Sequence, residues 1–180
     1  MRRLAIALLL SISTPAAAKV RFFSEADLGG RFFLGSGSGN AAVGPVFGVR
    51  AGAAFTSWLH LGVVAVTSMH EATVPPPPDR EYFQLYTGAA EVRLGFRVGR
   101  IGLFAQQQGG IGIVSTNVLD DVGITQPDRH WSPFIGAGGG LIVHTGNPRF
   151  SFGVGGDWTM FPTFDGLQMV TVRLFVRYVH

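Results

Sequence analysis

Residues 170–180 read Val-Thr-Val-Arg-Leu-Phe-Val-Arg-Tyr-Val-His. Val170, Val172, Leu174, Val176 and Tyr178 share one parity, while Thr171, Arg173, Phe175 and Arg177 share the other. An extended chain here carries one apolar and one charged face. In a soluble sandwich the apolar face would be the core. The rest of the chain shows the same split, however, and its charges also collect on one face. Such a sheet closes with lipid outside and charges within. The expected fold is therefore all-β, an eight-stranded antiparallel up-and-down transmembrane β-barrel.

Composition supports this reading. Apolar residues make up 47% of the 180 and charged residues 14%, against about 25% charged in an ordinary soluble domain. The mean hydropathy of +0.31 calls for a membrane or a very dry core. Arg2 and Arg3, the apolar run Leu4 to Ile12 and the Ala16-Ala17-Ala18 site form a secretory leader. Residues 1–18 are expected to be a cleavable signal peptide and residues 19–180 one barrel domain. A retained helical anchor would need about 20 apolar residues, and this run is broken by Ser11, Ser13, Thr14 and Pro15.

Without Arg2 and Arg3, 12 of the 14 basic residues remain against 11 acidic ones. The bases are scattered, which argues against nucleic acid as a partner. No cysteine is present, so export is not accompanied by a disulfide framework.

Beyond the leader, 26 glycines interrupt the apolar segments and disfavour helices. Eight segments of period-two character remain: 21–34, 42–55, 58–69, 82–96, 101–114, 132–144, 150–160 and 168–178. Each is long enough for a tilted strand to cross a bilayer, which takes about 9–11 residues. Connections after the second, fourth and sixth segments are tight. Those after the third and fifth, 70–81 with Pro75 to Pro78 and 115–130, are longer. Short periplasmic turns opposite longer outer loops are the habit of outer-membrane barrels.

Parity assigns an inside. Glu25, Asp27, Arg31, Arg50, Glu91, Arg93, Asp157, Arg173 and Arg177 fall on the inner face, joined by Gln106 and Gln108. Four acids meet five arginines there, and ionised groups held away from bulk water must be paired. Arginine suits the task because its planar fork stays charged and bonds two carboxylates at once. The lumen is expected to be filled by side chains rather than open as a pore. Gly44, Gly48, Gly136, Gly138 and Gly140 would leave room for the long side chains. His60 and His144 lie on segments whose parity is not clean, and neither is assigned a face. Phe55, Trp58, Phe96, Phe150 and Tyr178 at the turn end, and Phe33, Tyr82, Trp131, Trp158 and Phe161 at the loop end, are expected to form two interfacial girdles.

Three stretches carry a resemblance to the small outer-membrane β-barrel proteins of the OmpA and OmpX type. They are Ser132-Pro133-Phe134-Ile135-Gly136-Ala137-Gly138-Gly139-Gly140-Leu141, then Phe152-Gly153-Val154-Gly155-Gly156-Asp157, and the terminal alternating strand. The resemblance implies residence in a bacterial outer membrane, contact with its lipids, and delivery by the barrel-insertion machinery. That machinery reads a terminal aromatic signal; here Tyr178 stands two residues before His180, where the family usually ends in Phe or Trp. No peptidoglycan-binding domain is expected beyond the barrel, and the molecule is expected to be a monomer.

Some barrels of this kind resemble lipid A deacylases, which carry a Ser/His/acid site. Ser68, His70 and Glu71 are the candidates here, since a nucleophilic serine needs a neighbouring base. The deacylase-type H-x-S-N motif is absent, so no catalytic site is expected. Asp120, Asp121, Asp128 and His130 offer ligands suited to calcium, but their spacing matches no known loop. Neither metal nor cofactor is expected. The function implied is structural or surface-interacting, with loops 70–81 and 115–130 as the place for an unidentified ligand or partner. The alternatives are a lipid-modifying barrel enzyme and an exported soluble lipocalin-like barrel, the latter requiring an apolar inside.

Overall fold

The computed structural model describes residues 20–35, 41–72, 82–115 and 130–180. They form eight strands: β1 (Arg21–Leu34), β2 (Gly44–Ala54), β3 (Leu59–Glu71), β4 (Tyr82–Val98), β5 (Ile101–Val114), β6 (Trp131–His144), β7 (Phe150–Phe161) and β8 (Leu167–Val179). Each pairs antiparallel with the next, and β8 returns to pair with β1, closing the barrel. The expected segments match these strands to within two residues at every boundary. The leader at 1–18 and most of the two long loops, including Asp120, Asp121 and Asp128, lie outside the described residues.

Local chemistry sets the tight turns. Gly99 adopts a positive φ of 60°, letting β4 reverse into β5 over two residues. Between β2 and β3 the Thr56 hydroxyl accepts hydrogen bonds from the backbone N–H groups of Trp58 and Leu59, at 3.2 and 2.9 Å. Between β6 and β7 the Asn147 side chain accepts from the N–H of Arg149 at 3.0 Å. The β7–β8 connection turns on Asp165 and Gly166, both at positive φ.

Pairing resolves the two strands whose parity is ambiguous in sequence. His60 lies opposite Arg93 and Gly62 opposite Glu91, and directly opposed residues share a face. The even positions of β3 therefore point inward, from His60 to His70. His144 faces inward by the same argument, opposite Ser151. The ambiguity comes from Val63-Val64-Ala65-Val66, which is apolar on both faces.

The barrel's interior is layered along its axis. At the loop end a hydrophobic plug fills the bore, built on Phe33, Phe83, Phe134, Phe161, Phe164 and Met169. Phe161 stacks on Phe134 with ring centroids 5.1 Å apart and on Phe164 at 5.7 Å. This layer corrects the girdle expectation for Phe33 and Phe161, which are buried inside the bore. The signal was present, because Phe33 shares parity with Glu25 and Arg31, and Phe161 with Asp157 and Thr159. The other outer-end aromatics, Tyr82 and Trp131, are exposed on the outer wall, as are Phe55, Trp58, Phe96 and Phe150 at the turn end. Trp158 and Tyr178 are half-buried.

The middle layer is ionic, and a smaller apolar cluster of Phe104, Ile142 and Phe175 lies towards the turns. The outer wall is aliphatic: Leu28 and Leu174, paired across β1 and β8, are 65% and 68% exposed. Gln107 is a polar exception on that wall.

Candidate functional site

The ionic layer is assembled from β1, β2, β4, β5, β7 and β8. Every charged residue assigned to the lumen is at least 95% buried. Glu25 is its hub. Arg93 reaches across the bore and donates through both terminal nitrogens to the two Glu25 oxygens, at 2.8 and 3.1 Å. Arg177 of the adjoining strand donates through Nε to the same carboxylate at 2.5 Å. Arg93 also donates to Glu91 at 3.0 Å.

Arg50 bridges two further acids, donating to Glu91 at 2.6 Å and to Asp27 at 3.1 Å. Arg173 donates through Nε to Asp157 at 2.8 Å and through Nη2 to the Gln106 carbonyl at 3.1 Å. The Gln106 amide in turn donates to Asp157. Arg50 and Asp157, 3.8 Å apart, join the two halves. Glu25, Asp27, Glu91 and Asp157 are thus interlocked with Arg50, Arg93, Arg173 and Arg177.

Arg31 stands apart from this lattice. Its hydrogen bonds go to the hydroxyls of Thr171 at 3.0 Å and Ser68 at 3.1 Å. The sequence grouped it with the other four arginines because parity reports a face and not a height along the bore. Aromatic rings supply further contacts that the sequence reading did not include. The Arg93 guanidinium lies 4.4 Å from the Phe104 ring centroid, and that of Arg177 lies 4.4 Å from Phe23. Such contacts stabilise desolvated cations through the ring quadrupole.

Glycines on the inner face make the packing possible. A Cβ at Gly48 would strike the Asp27 carboxylate, and one at Gly138 the Asp157 carboxylate and the backbone of Gly156. At Gly44 it would meet the His70 ring, at Gly140 the Phe104 ring, and at Gly136 the side chains of Thr159 and Gln108. These glycines accommodate carboxylates, rings, the Thr159 and Gln108 side chains and the backbone of neighbouring strands, rather than the arginines expected from the sequence. A cavity of about 10 Å³ remains between Asp27, Arg31, Arg50 and Asp157, about the minimum for one water. With the plug above it, the bore at this level is filled.

Ser68 and His70 do meet. The Ser68 hydroxyl lies 3.0 Å from His70 Nε2, and His70 Nδ1 lies 3.1 Å from the Ala42 carbonyl. That carbonyl can only accept, so Nδ1 carries the proton and Nε2 accepts from Ser68. A backbone carbonyl therefore orients the imidazole, in the place a triad gives to a carboxylate. Glu71, adjacent in sequence to His70, takes the opposite parity. Ser68 and His70 are both buried, and the imidazole is held between Phe33 and Phe83, at centroid distances of 4.6 and 5.3 Å. The pair is part of the plug's underside.

At the turn end Tyr178 packs on Phe150 and on His180, with centroids 5.0 and 4.9 Å apart. The His180 N–H donates to the Phe22 carbonyl at 2.9 Å, tying the chain end to β1. Among the described residues no cluster of three or more His, Cys, Asp or Glu is arranged to hold a metal ion.

No protein-family model matches the chain, nor does any curated protein sequence. Solved structures do. Neisserial surface protein A superposes with a TM-score of 0.64 at 16% identity, over 87% of this chain and 96% of that one. Ail, the attachment invasion locus protein of Yersinia pestis, matches with a TM-score of 0.49 at 14% identity, over 89% of this chain and 97% of its own. The outer membrane enzyme PagL matches with a TM-score of 0.47 at 14% identity, over 87% and 98%. The closed eight-stranded antiparallel sheet and the superposition on Neisserial surface protein A agree: the chain has the fold of the small eight-stranded outer-membrane barrels.

Proposed function

We propose that the chain is an integral outer-membrane β-barrel of structural or surface-interacting role, exported by its leader and inserted as a monomer. One observation carries the reading: the ionic residues are interlocked inside a closed sheet whose outer wall is aliphatic. In water such a wall would expose far more contiguous apolar surface than a soluble monomer tolerates. In a bilayer it is the required solvent-facing surface. The same inversion disfavours a soluble lipocalin-like binder, whose ligand would need an apolar bore throughout.

Within this reading the filled bore acts as a strut and not as a conduit, leaving the loop end for contact with other molecules. The segments 70–81 and 115–130 would supply that contact surface, and Tyr178 with His180 would present the insertion signal. The alternative of a lipid-modifying barrel enzyme is not favoured by the surroundings of Ser68. An acyl ester would have to pass the phenylalanine layer to reach Ser68, and Ser68 is committed to both His70 and Arg31.

Fractionation of cells expressing the full chain tests the proposal. The protein should sediment with outer membranes, and the extracted species should migrate faster on a gel unheated than boiled. Recovery as a soluble periplasmic protein would overturn it.

A further inference from the structure

The turn end of the barrel is built unlike the loop end. A cavity of about 370 Å³ opens there, with Arg21, Arg97, Arg177, His60 and His144 in its wall and no carboxylate among its lining residues. The turn-end segments of the sequence, 55–58, 97–100 and 145–149, carry Arg97, Arg100 and Arg149 and no Asp or Glu, whereas the segments 70–81 and 115–130 mix Arg80 and Arg129 with Glu71, Asp79, Glu81, Asp120, Asp121 and Asp128. The vestibule is therefore a cationic recess at the basic end of the molecule.

Its inner wall supplies positive charge and its rim supplies free donors. Arg177 spends Nε on Glu25 and points Nη1 towards His60 Nδ1 at 3.4 Å, and its Nη2, enclosed and without a hydrogen-bond partner among the described residues, leaves positive charge uncompensated behind the wall. The Phe23 ring beneath it fixes the plane of the guanidinium. At the rim Arg21 and Arg97 are exposed, and Arg97 gives its Nε–H to the Gly99 carbonyl at 2.8 Å, leaving its terminal nitrogens for another acceptor.

The wall also changes character along its length. It passes from inward-facing Phe23 and Ile142 to Phe96 and Leu103, which are exposed on the outer wall. A ligand seated there can place an anion among the arginines while an apolar portion continues down the outside of the barrel. Guanidinium forks match tetrahedral phosphate oxygens through paired hydrogen bonds.

We propose that the turn-end vestibule is a binding site for a phosphate group, taken as a free phosphate or as the phosphodiester of a glycerophospholipid headgroup. Its elements are the Arg21 and Arg97 rim, the Arg177 inner wall and the two flanking imidazoles. A headgroup would lock the turn end at the level of the inner-leaflet phosphates, where juxtamembrane arginines are attracted.

The test uses the full barrel in non-ionic, phosphate-free detergent, with the imidazole resonances of His60, His144 and His70 followed by NMR. Inorganic phosphate and a short-chain phosphatidylglycerol are titrated separately. Saturable shifts at His60 and His144, with His70 at the far end unmoved, are expected from one or both probes. The double variant Arg21→Gln/Arg97→Gln should raise the Kd about tenfold, the loss of at least one charge-assisted hydrogen bond. It spares the buried lattice, and its folding is checked by gel mobility. Saturation by the lipid alone identifies a headgroup, and saturation by inorganic phosphate identifies the anion itself. Failure of both probes to saturate, or an unchanged Kd in the double variant, overturns the proposal. Because the titration is done in detergent, its failure would leave the outer-membrane reading untouched.

Discussion

Replacing Glu25 by glutamine removes one charge and almost no volume, so it isolates the hub of the ionic layer. In the native barrel Glu25 accepts two hydrogen bonds from Arg93 and one from Arg177, and Arg50 lies 3.9 Å from its carboxylate. Glutamine offers one acceptor oxygen and an amide that is itself a donor, so a guanidinium N–H must face another donor. Removing one partner of a buried ion pair costs about 3–5 kcal/mol, because the remaining charge stays desolvated and uncompensated. Two arginines lose their main partner here, while Glu91 still holds Arg93, so the expected loss is about 4 kcal/mol. Urea unfolding in mixed detergent and lipid micelles, followed by tryptophan fluorescence, measures it. Adding Arg177→Met to Glu25→Gln should recover about 1–3 kcal/mol relative to additivity, since the two side chains are in contact. A loss below about 1 kcal/mol, the size of an exposed pair, would refute the claim that Glu25 organises a desolvated lattice.

Four further outcomes are expected. Gly138→Ala should destabilise the barrel by about 2 kcal/mol because its methyl group meets Asp157 and the Gly156 backbone, whereas Gly88→Ala, which faces open space, should stay within about 0.5 kcal/mol; paired unfolding curves decide this. Phe161→Ala should cost about 3–5 kcal/mol by opening the centre of the plug, read by the same unfolding assay. Leu174→Lys should cost about 2–4 kcal/mol in bilayers if that residue lies near mid-membrane, measured by folding into vesicles; a soluble barrel would tolerate the change. Ser68→Ala should leave any esterase activity of the purified barrel at its background value, measured with a short-chain ester, since Ser68 serves Arg31 and His70 inside the bore.

Parity made most of the fold legible, because a closed barrel imposes a single inside on every strand and buried charges mark that inside on β1, β2, β4, β7 and β8. The terminal strand alone fixed the faces of Arg173 and Arg177. The pairing of Glu25 with Arg93 was not legible, since it spans the bore between β1 and β4 and depends on the closed sheet. Nor was the separation of Arg31 from the lattice, which is a matter of axial height. The plug is legible only in part: Phe33 and Phe161 obey the inner parity, while their places near strand ends suggest girdles. The positions of His60 and His144 needed strand pairing, because Val64 and Val66 are apolar and face inward, and the Gly-rich run of β6 erases the contrast between faces.

The central claim is that charges lie inside and lipid outside, and β8 offers its most direct test. The chain contains no cysteine, so single cysteines can be placed at each position from 170 to 177 and spin-labelled with no competing thiol. Oxygen accessibility in reconstituted vesicles should alternate with period two. It should be high at positions 170, 172, 174 and 176, and low at 171, 173, 175 and 177. An inverted alternation would mean a water-soluble barrel with an apolar interior, and a uniform profile would mean that β8 does not face lipid; either result contradicts the account.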